Sequence, residues 1–383
     1  MSNKEPYFED IPDRRDTNSL KWGKYAGRDI LPLWVADMDF KSPPGVLERA
    51  KKEANFGNFG YANCPTGLVD AVLERSMELY GWKVNSSWLV WLPGMVCALN
   101  VSCRVFEKES SQVFTQTPVY PPFLTAPGNF DLPCTRIPMC LDQGRFSIDF
   151  DALEALPSKP SDLFMLCHPH NPVGSAFTKD ELKRFGEWAC RKELFVCSDE
   201  IHCDLLLEPG LTHTPLASIS PELADRVVTL MAPSKTFNLP GFGCSFAVIS
   251  NGQLRRRFKK AMAGIVPDPP AMGFALAESA YRTGESWRME LIDYLRANRD
   301  FAISELSNIQ GLVPYSPQAT YLMWLDARNL PVENPQVFFE NAGVGLSDGK
   351  DFGAPGFLRL NLGCSRGLLK QAIDRMVSAC KAL

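Results

Sequence analysis

The sequence has 383 residues, a formal net charge of −4 and 45% hydrophobic residues, a composition typical of a globular protein long enough for two domains. The mild acidity argues against a nucleic-acid partner, no run of about 18 apolar residues predicts a membrane span, and the polar, acidic N-terminus does not resemble a secretory signal. Twelve cysteines without a CxxC pair indicate reduced thiols, so we expect a cytoplasmic protein.

The chain from residue 41 to about 280 predicts a large α/β domain. A helix is expected from Pro44, because proline suits a first helical turn. Beyond it, apolar runs alternate with helical patterns, and the predicted strands are 88–92, 112–116, 162–167, 194–199, 226–232 and 244–250. Continuous apolar strands separated by helices favour a mostly parallel sheet covered on both faces.

From about residue 280 the pattern changes to long charged helices with two strand candidates, "TYLMWLD" and "GFLRLNLG". This change predicts a smaller α+β domain. We therefore predict an N-terminal segment at 1–40 that joins the small domain, a large domain at 41–280 and a small C-terminal domain at 281–383.

Polar side chains follow three of the predicted strands. Asn171 follows "DLFMLC", Asp199 ends "LFVCSD" and Lys235 follows "RVVTLMAP". Ligands of open α/β sheets bind outside the carboxyl ends of the strands, so we expect these three groups at one edge of one sheet. A fourth strand, "WLVWL", leads through Gly94 into a helix whose first backbone N–H groups form a ready anion site.

An amide, a carboxylate, a lysine and a phosphate site together suit pyridoxal 5′-phosphate. A lysine amine can bond covalently to the cofactor's aldehyde. A buried aspartate can keep the pyridine nitrogen protonated, and Asn171 can donate a hydrogen bond to the ring oxygen. We therefore predict a cofactor site around Lys235, Asp199 and Asn171. A metal pair at His168 and His170 is disfavoured, because no carboxylate or thiol lies at a matching spacing.

The motifs "HPHNPVG", "SDEIHCDL", "APSKTFNLPG" and "RLNLGCSR", in this order, resemble the class I/II aminotransferase superfamily, whose members have the fold-type I architecture. More narrowly, "LPLWVADMDF", "FGYANCPTG" and "QTPVYPPF" resemble the MalY- and PatB-like carbon–sulfur lyases, the cystathionine β-lyase and cystalysin group. The similarity runs from about residue 30 to the C-terminus. His168, Met95 and the Ser365 of "GCSR" depart from the usual pattern without removing a functional side chain.

The resemblance implies further roles. His202 stands near the cofactor's ring oxygen, where related enzymes have a tyrosine, and Tyr120 stacks on the ring. The cofactor phosphate is held by Ser234 and by the backbone amides of Gly94, Met95 and Val96. Tyr61 reaches the phosphate of a neighbouring subunit, which implies a homodimer with shared sites.

Arg359 is predicted to bind the carboxylate of an amino-acid substrate. In "FLRLNLG" a period of two puts three leucines on one face of a strand and Arg359 on the other, and arginine binds carboxylates through two parallel hydrogen bonds. The resemblance assigns the same role. Asp37 and Asp39 of "ADMDF" could face a metal or a substrate, and a turn is the favoured interpretation.

These residues predict a PLP-dependent carbon–sulfur β-lyase that converts cystathionine- or cysteine-type amino acids to pyruvate, ammonia and a thiol. A PLP-dependent aminotransferase of a small or aromatic amino acid is the first alternative, because both reactions begin with loss of the Cα proton. A PLP-binding regulatory or interaction protein is the alternative from another class.

Overall fold

A computed structural model describes residues 7–108 and 110–383. Residues 1–6, part of the predicted segment 1–40, lie outside the described residues, as does residue 109. The strands are β1 (Leu31–Pro32), β2 (Leu89–Leu92), β3 (Val113–Thr117), β4 (Cys134–Pro138), β5 (Cys140–Asp142), β6 (Arg145–Ser147), β7 (Leu163–Cys167), β8 (Phe195–Asp199), β9 (Val227–Met231), β10 (Ser245–Val248), β11 (Val313–Tyr315), β12 (Leu322–Asp326), β13 (Val344–Gly345), β14 (Ser347–Asp348) and β15 (Phe357–Asn361). The α-helices are α1 (Leu20–Gly23), α2 (Pro44–Phe56), α3 (Thr66–Tyr80), α4 (Met95–Phe106), α5 (Pro121–Thr125), α6 (Phe150–Glu154), α7 (Lys179–Arg191), α8 (Pro221–Ala224), α9 (Gly252–Met262), α10 (Ala271–Thr283), α11 (Glu285–Leu306), α12 (Pro335–Asn341) and α13 (Arg366–Lys381).

A seven-stranded sheet in the order β2-β10-β9-β8-β7-β3-β4 lies within the region predicted as the large domain. The pairs β9–β8, β8–β7, β7–β3 and β3–β4 are parallel, and β10 runs antiparallel to both of its neighbours. The predicted α/β class with a mostly parallel sheet is confirmed. The strands β7, β8 and β9 are buried along their length, as continuous apolar runs predict.

All six strands predicted for this region form, each within two residues of the expected bounds. The sequence analysis missed β4, the edge strand with the sequence "CTRIP". Its side chains are mostly half-buried or exposed, so it lacks the continuous apolar run that marks a central strand.

Helices cover both faces of the sheet. On one face, α4 and α9 contribute Phe106 and Phe258 to the core, and on the other α7 contributes Phe185 and Trp188. A capping box fixes the start of α7, because Thr178 Oγ1 accepts a hydrogen bond from Glu181 N at 3.2 Å and Glu181 Oε2 accepts one from Thr178 N at 2.7 Å.

A second, antiparallel sheet has the order β11-β12-β15-β14. The N-terminal segment lies against this part of the molecule, since β1 pairs in parallel with β13 and Leu33 packs in the same core as Leu358 and Leu360. The bounds proposed for the domains stay a prediction. No helix within residues 7–108 and 110–383 is long and apolar enough to cross a membrane.

Candidate active site

A cavity of about 220 Å³ opens at the carboxyl edge of the large sheet. Its lining includes every residue that the sequence analysis assigned to the site except Tyr61: Gly94, Met95, Val96, Tyr120, Asn171, Asp199, His202, Ser234, Lys235 and Arg359. The strands β2, β7, β8 and β9 end at this edge, so residues far apart in the chain meet at the switch point of the sheet.

Lys235 lies four residues after β9 and lines the cavity. Its Nζ donates a hydrogen bond to the main-chain oxygen of Ala36 at 2.6 Å. Burial, followed by the nearby charge of Arg359, lowers the pKa of Lys235 to about 8. An amine with such a pKa is a better nucleophile and base near neutral pH than an ordinary lysine.

Asp199 ends β8 and is buried. Burial raises the pKa of Asp199 to about 7, against a hydrogen bond to its Oδ1 from Ile201 N at 3.1 Å, which lowers it. A carboxyl group in this state is poised between its two protonation forms. A positive charge placed beside it in the cavity would therefore favour the carboxylate.

Arg359 reaches the same cavity from β15 in the second sheet. As the alternating pattern predicted, Leu358 and Leu360 pack in the core behind the strand. The guanidinium donates from Nη1 to Asn171 Oδ1 at 3.0 Å and from Nη2 to the main-chain oxygen of Trp34 at 2.8 Å. The Asn171 oxygen is thereby engaged, which leaves its amide hydrogens to donate into the cavity.

Arg359 has no acidic partner among the described residues, although it is only 5% exposed. Its Nε is buried without a hydrogen-bond acceptor, and burial lowers the pKa of Arg359 to about 10. A buried cation is costly unless it is paired. The missing partner fits a carboxylate supplied by a ligand.

The start of α4 also lines the cavity. Gly94 is the N-cap residue, and a Cβ built at this position meets nothing within 4 Å. The first N–H groups of this 12-residue helix have no intrahelical acceptor, and the Ser234 side chain lines the same cavity. A helix start with a nearby hydroxyl is a suitable phosphate site.

His202 and Tyr120 also line the cavity. His202 is buried, and its Nδ1 has no hydrogen-bond partner in the described residues. Burial, followed by the charges of Lys235 and Arg359, lowers the pKa of His202 to about 3, so the ring is neutral. Burial also raises the pKa of Tyr120. Arg359 and His202, each with a buried polar atom that has no partner among the described residues, thus line one cavity together with Lys235.

This donor set fits pyridoxal 5′-phosphate: an amine for the aldehyde, a buried acid for the ring nitrogen, donors for the ring oxygen and a helix start for the phosphate. The model of the family "Aminotransferase class I and II" matches residues 28–376. The chain belongs to this family.

Individual relatives of this aminotransferase-family chain are similar over nearly their full length. Cystathionine beta-lyase PatB of Bacillus subtilis (strain 168) is 36% identical over 97% of this chain and 99% of its own. The crystal structure of OvoB superposes with a TM-score of 0.96 at 42% identity, covering 98% of this chain and 99% of that chain. Cystalysin from Treponema denticola, which contains pyridoxal 5′-phosphate, gives a TM-score of 0.93 at 31% identity over 98% of both chains. The predictions of the family, of an enzyme and of this cofactor are confirmed.

Tyr61 is the one predicted site residue that lies away from the cavity. It is fully exposed in the segment between α2 and α3, so it contributes nothing to the site of its own chain. Its assigned contact with a neighbouring subunit stays a prediction.

The sequence analysis missed several groups at the site. The main-chain oxygen of Ala36 accepts hydrogen bonds from Lys235 Nζ and from the Tyr321 hydroxyl, the latter at 2.9 Å. Gly243 lines the cavity with φ +55°, and a Cβ there would lie 2.8 Å from Pro93 O. Main-chain acceptors cannot be recognised from residue types. Gly243 in "GFGCSF" could have been noticed, because a glycine beside a predicted strand can indicate a positive φ or a close approach of the backbone.

Proposed function

We propose that this family member is a pyridoxal 5′-phosphate-dependent carbon–sulfur β-lyase, which cleaves cystathionine- or cysteine-type amino acids to a thiol, pyruvate and ammonia. The observation that carries the proposal is that Arg359 is buried without an acidic partner among the described residues, in the same cavity as Lys235, whose pKa is lowered to about 8. Cystathionine beta-lyase PatB and cystalysin, to which the chain is similar, support a sulfur substrate over other amino acids.

In this proposal Arg359 binds the α-carboxylate through two parallel hydrogen bonds. Asn171 accepts from Arg359 and so fixes the direction of the guanidinium. The binding energy holds Cα in one orientation toward Lys235. The unprotonated amine of Lys235 then removes the Cα proton as a general base.

Pyridoxal 5′-phosphate, held by these residues, would supply an electron sink for the pair left at Cα, so that the Cβ–S bond could break with its pair leaving on sulfur. Asp199 is proposed to stay ionised beside the ring nitrogen and to keep that nitrogen protonated. The neutral His202 and the Asn171 amide are proposed to face the ring oxygen, and Ser234 with the start of α4 the phosphate. The departing thiolate takes up a proton, and the 2-aminoacrylate left behind is hydrolysed to pyruvate and ammonia.

The test is to supply the purified holoenzyme with L-cystathionine and measure pyruvate. We expect pyruvate and thiol in equal amounts. An Arg359→Gln variant should lose about 100-fold in kcat/KM, mainly through KM, because a charge-assisted bidentate pair is lost. Efficient amino-group exchange with keto acids, without pyruvate from any cysteine S-conjugate, would favour an aminotransferase and reject the lyase.

We further propose that the enzyme is a cytoplasmic homodimer in which Tyr61 reaches the phosphate site of the second subunit. Phe56, Phe59 and Tyr61 are 75%, 65% and 113% exposed within six residues of chain, which is an unusual cluster for a free surface. Mixing a Tyr61→Ala chain with a Lys235→Ala chain should restore activity, because the hybrid contains one intact site. Sedimentation of the enzyme as a monomer would contradict this arrangement.

A further inference from the structure

A second cavity, of about 380 Å³, adjoins the cofactor cavity. Val35, Tyr120 and Arg359 line both. Because Arg359 is the proposed anchor of the α-carboxylate, the side chain of a bound amino acid can extend from the reaction site into this second space, which we call the side-chain cavity. Its volume is in the range of small-ligand pockets and exceeds what cysteine itself would fill.

Four charged residues besides Arg359 line the side-chain cavity: Lys24, Asp348, Lys350 and Asp351. Lys350 Nζ lies 3.4 Å from Asp348 Oδ2, so these two charges offset each other. Asp351 is exposed. Within the described residues, Lys24 has no carboxylate at ion-pair distance. The side-chain cavity therefore contains one cation from the N-terminal segment that no acid neutralises.

Aromatic rings hold this cation in place. Lys24 Nζ lies 4.7 Å from the centroid of the Trp34 ring and 4.9 Å from that of Tyr25. Trp34 is itself anchored, since its Nε1 donates to Lys21 O at 3.0 Å and its main-chain oxygen accepts from Arg359 at 2.8 Å. Cation–π contacts orient an ammonium without removing its charge, so Lys24 remains available to an anion.

We propose that the side-chain cavity binds the sulfur substituent of the substrate and that Lys24 selects substituents that carry a carboxylate. The inference rests on the proposed β-lyase function and specifies its substrate class: S-substituted L-cysteines whose distal end is acidic. Arg359 takes the α-carboxylate and Lys24 the distal one, so the sulfur lies between two fixed cations. Lys24 is a specificity-determining residue here and takes no part in bond breaking.

The experiment compares S-(3-carboxypropyl)-L-cysteine with its primary amide, which has nearly the same size and shape but no distal charge. We measure kcat/KM for pyruvate release and, by calorimetry, the Kd of each conjugate. For the acid we expect a kcat/KM about fivefold higher and a Kd about fivefold lower than for the amide, the size of one partly exposed ion pair.

Variants assign the preference to one side chain. Lys24→Gln should bring the ratio of acid to amide to about one, and Lys24→Arg should keep it, because the charge is retained. Lys370→Gln removes a lysine on α13 that is paired with Asp374 and should leave the ratio as in the wild type. This control excludes a general effect of net charge.

Two failures can be told apart. The role of the side-chain cavity is overturned if the wild type has the same kcat/KM and Kd for the acid and the amide, or if the ratio is unchanged in Lys24→Gln. Neither result contradicts the lyase. Absence of pyruvate from both conjugates overturns the lyase, and the calorimetric ratio still decides whether Lys24 selects a distal carboxylate.

Discussion

Two groups of buried or half-buried charges differ in whether each charge has a partner of opposite sign within the chain. The first, which we call the N-terminal ion-pair cluster, consists of Arg14, Lys21, Asp37 and Asp39. Lys21 is fully buried and lies 2.8 Å from Asp39, and Arg14 contacts Asp37 at 2.8 Å and Asp39 at 3.0 Å. Trp22 Nε1 donates to Asp39 as well, at 3.0 Å. Each charge in this cluster has an opposite charge from the same chain.

The second group consists of Asp199, Lys235 and Arg359 in the cofactor cavity. Among the described residues, no ion pair joins these three to one another or to other groups. Burial shifts the pKa of each residue in the direction that favours its uncharged form. The difference indicates what each group is for. Charges paired within the chain stabilise the fold, whereas unpaired charges lower stability and are available to a ligand.

The largest effect is expected for Lys235→Ala, which tests whether the unpaired charges of the cofactor cavity serve the reaction. We expect pyruvate release to fall by about 10³-fold or more, because both the covalent attachment of the cofactor and the general base are lost. Removing an unpaired buried cation should not lower the melting temperature of the apoprotein. A rate above about a tenth of the wild type, with Lys370→Ala as the unaffected reference, would remove Lys235 from the mechanism.

Lys21→Met tests the other group, and here the expected effect is on stability. The variant leaves Asp39 buried with one fewer counter-charge, so we expect the free energy of unfolding to fall by about 3 kcal/mol in urea denaturation.

The matched control is Lys41→Met. Lys41 pairs with Asp10 at 2.5 Å, but both side chains are exposed, so its loss should cost less than about 0.5 kcal/mol. If both variants lose the same stability, the N-terminal ion-pair cluster has no special role in the fold.

The two groups also differ in how far they could be predicted from the sequence. Asn171, Asp199 and Lys235 each follow a strand with a clear apolar signature, so the topology of the sheet brings them to one edge. Asp37 and Asp39 were interpreted as a turn, and their ion pairs with Arg14 and Lys21 were not predicted, because these partners lie in an irregular segment without a period.

On the substrate side of the cavity, the sequence allowed a residue to be assigned only where it lies on a strand with a regular pattern. Arg359 could be assigned because the leucines of β15 alternate with it. The main-chain oxygens of Trp34 and Ala36, which orient Arg359 and Lys235, carry no residue-type signal. Their position depends on how the N-terminal segment packs against both sheets, and pairings across about 200 residues or more are not encoded in any local pattern.

The last expected effect is a pH dependence of the apoprotein's stability. The native pKa of Asp199 is raised from 3.8 to about 7, so between these values the native state holds a proton that the unfolded chain releases, and stability falls as pH rises. The native pKa of Lys235 is lowered from 10.5 to about 8. The unfolded chain therefore binds more protons between pH 8 and 10.5, and stability rises with pH there.

Relative to a double variant, Asp199→Asn with Lys235→Met, the wild-type apoprotein should thus be least stable near pH 7 to 8 and recover toward pH 4 and pH 10.5. Melting temperatures across this range measure the difference between the two proteins. Saturating pyridoxal 5′-phosphate should flatten the wild-type curve, because the cofactor then occupies both groups. If the difference in melting temperature between the two proteins does not vary with pH, burial does not shift the pKa of Asp199 or Lys235. The unpaired charges would then not lower the stability of the fold, contrary to the comparison.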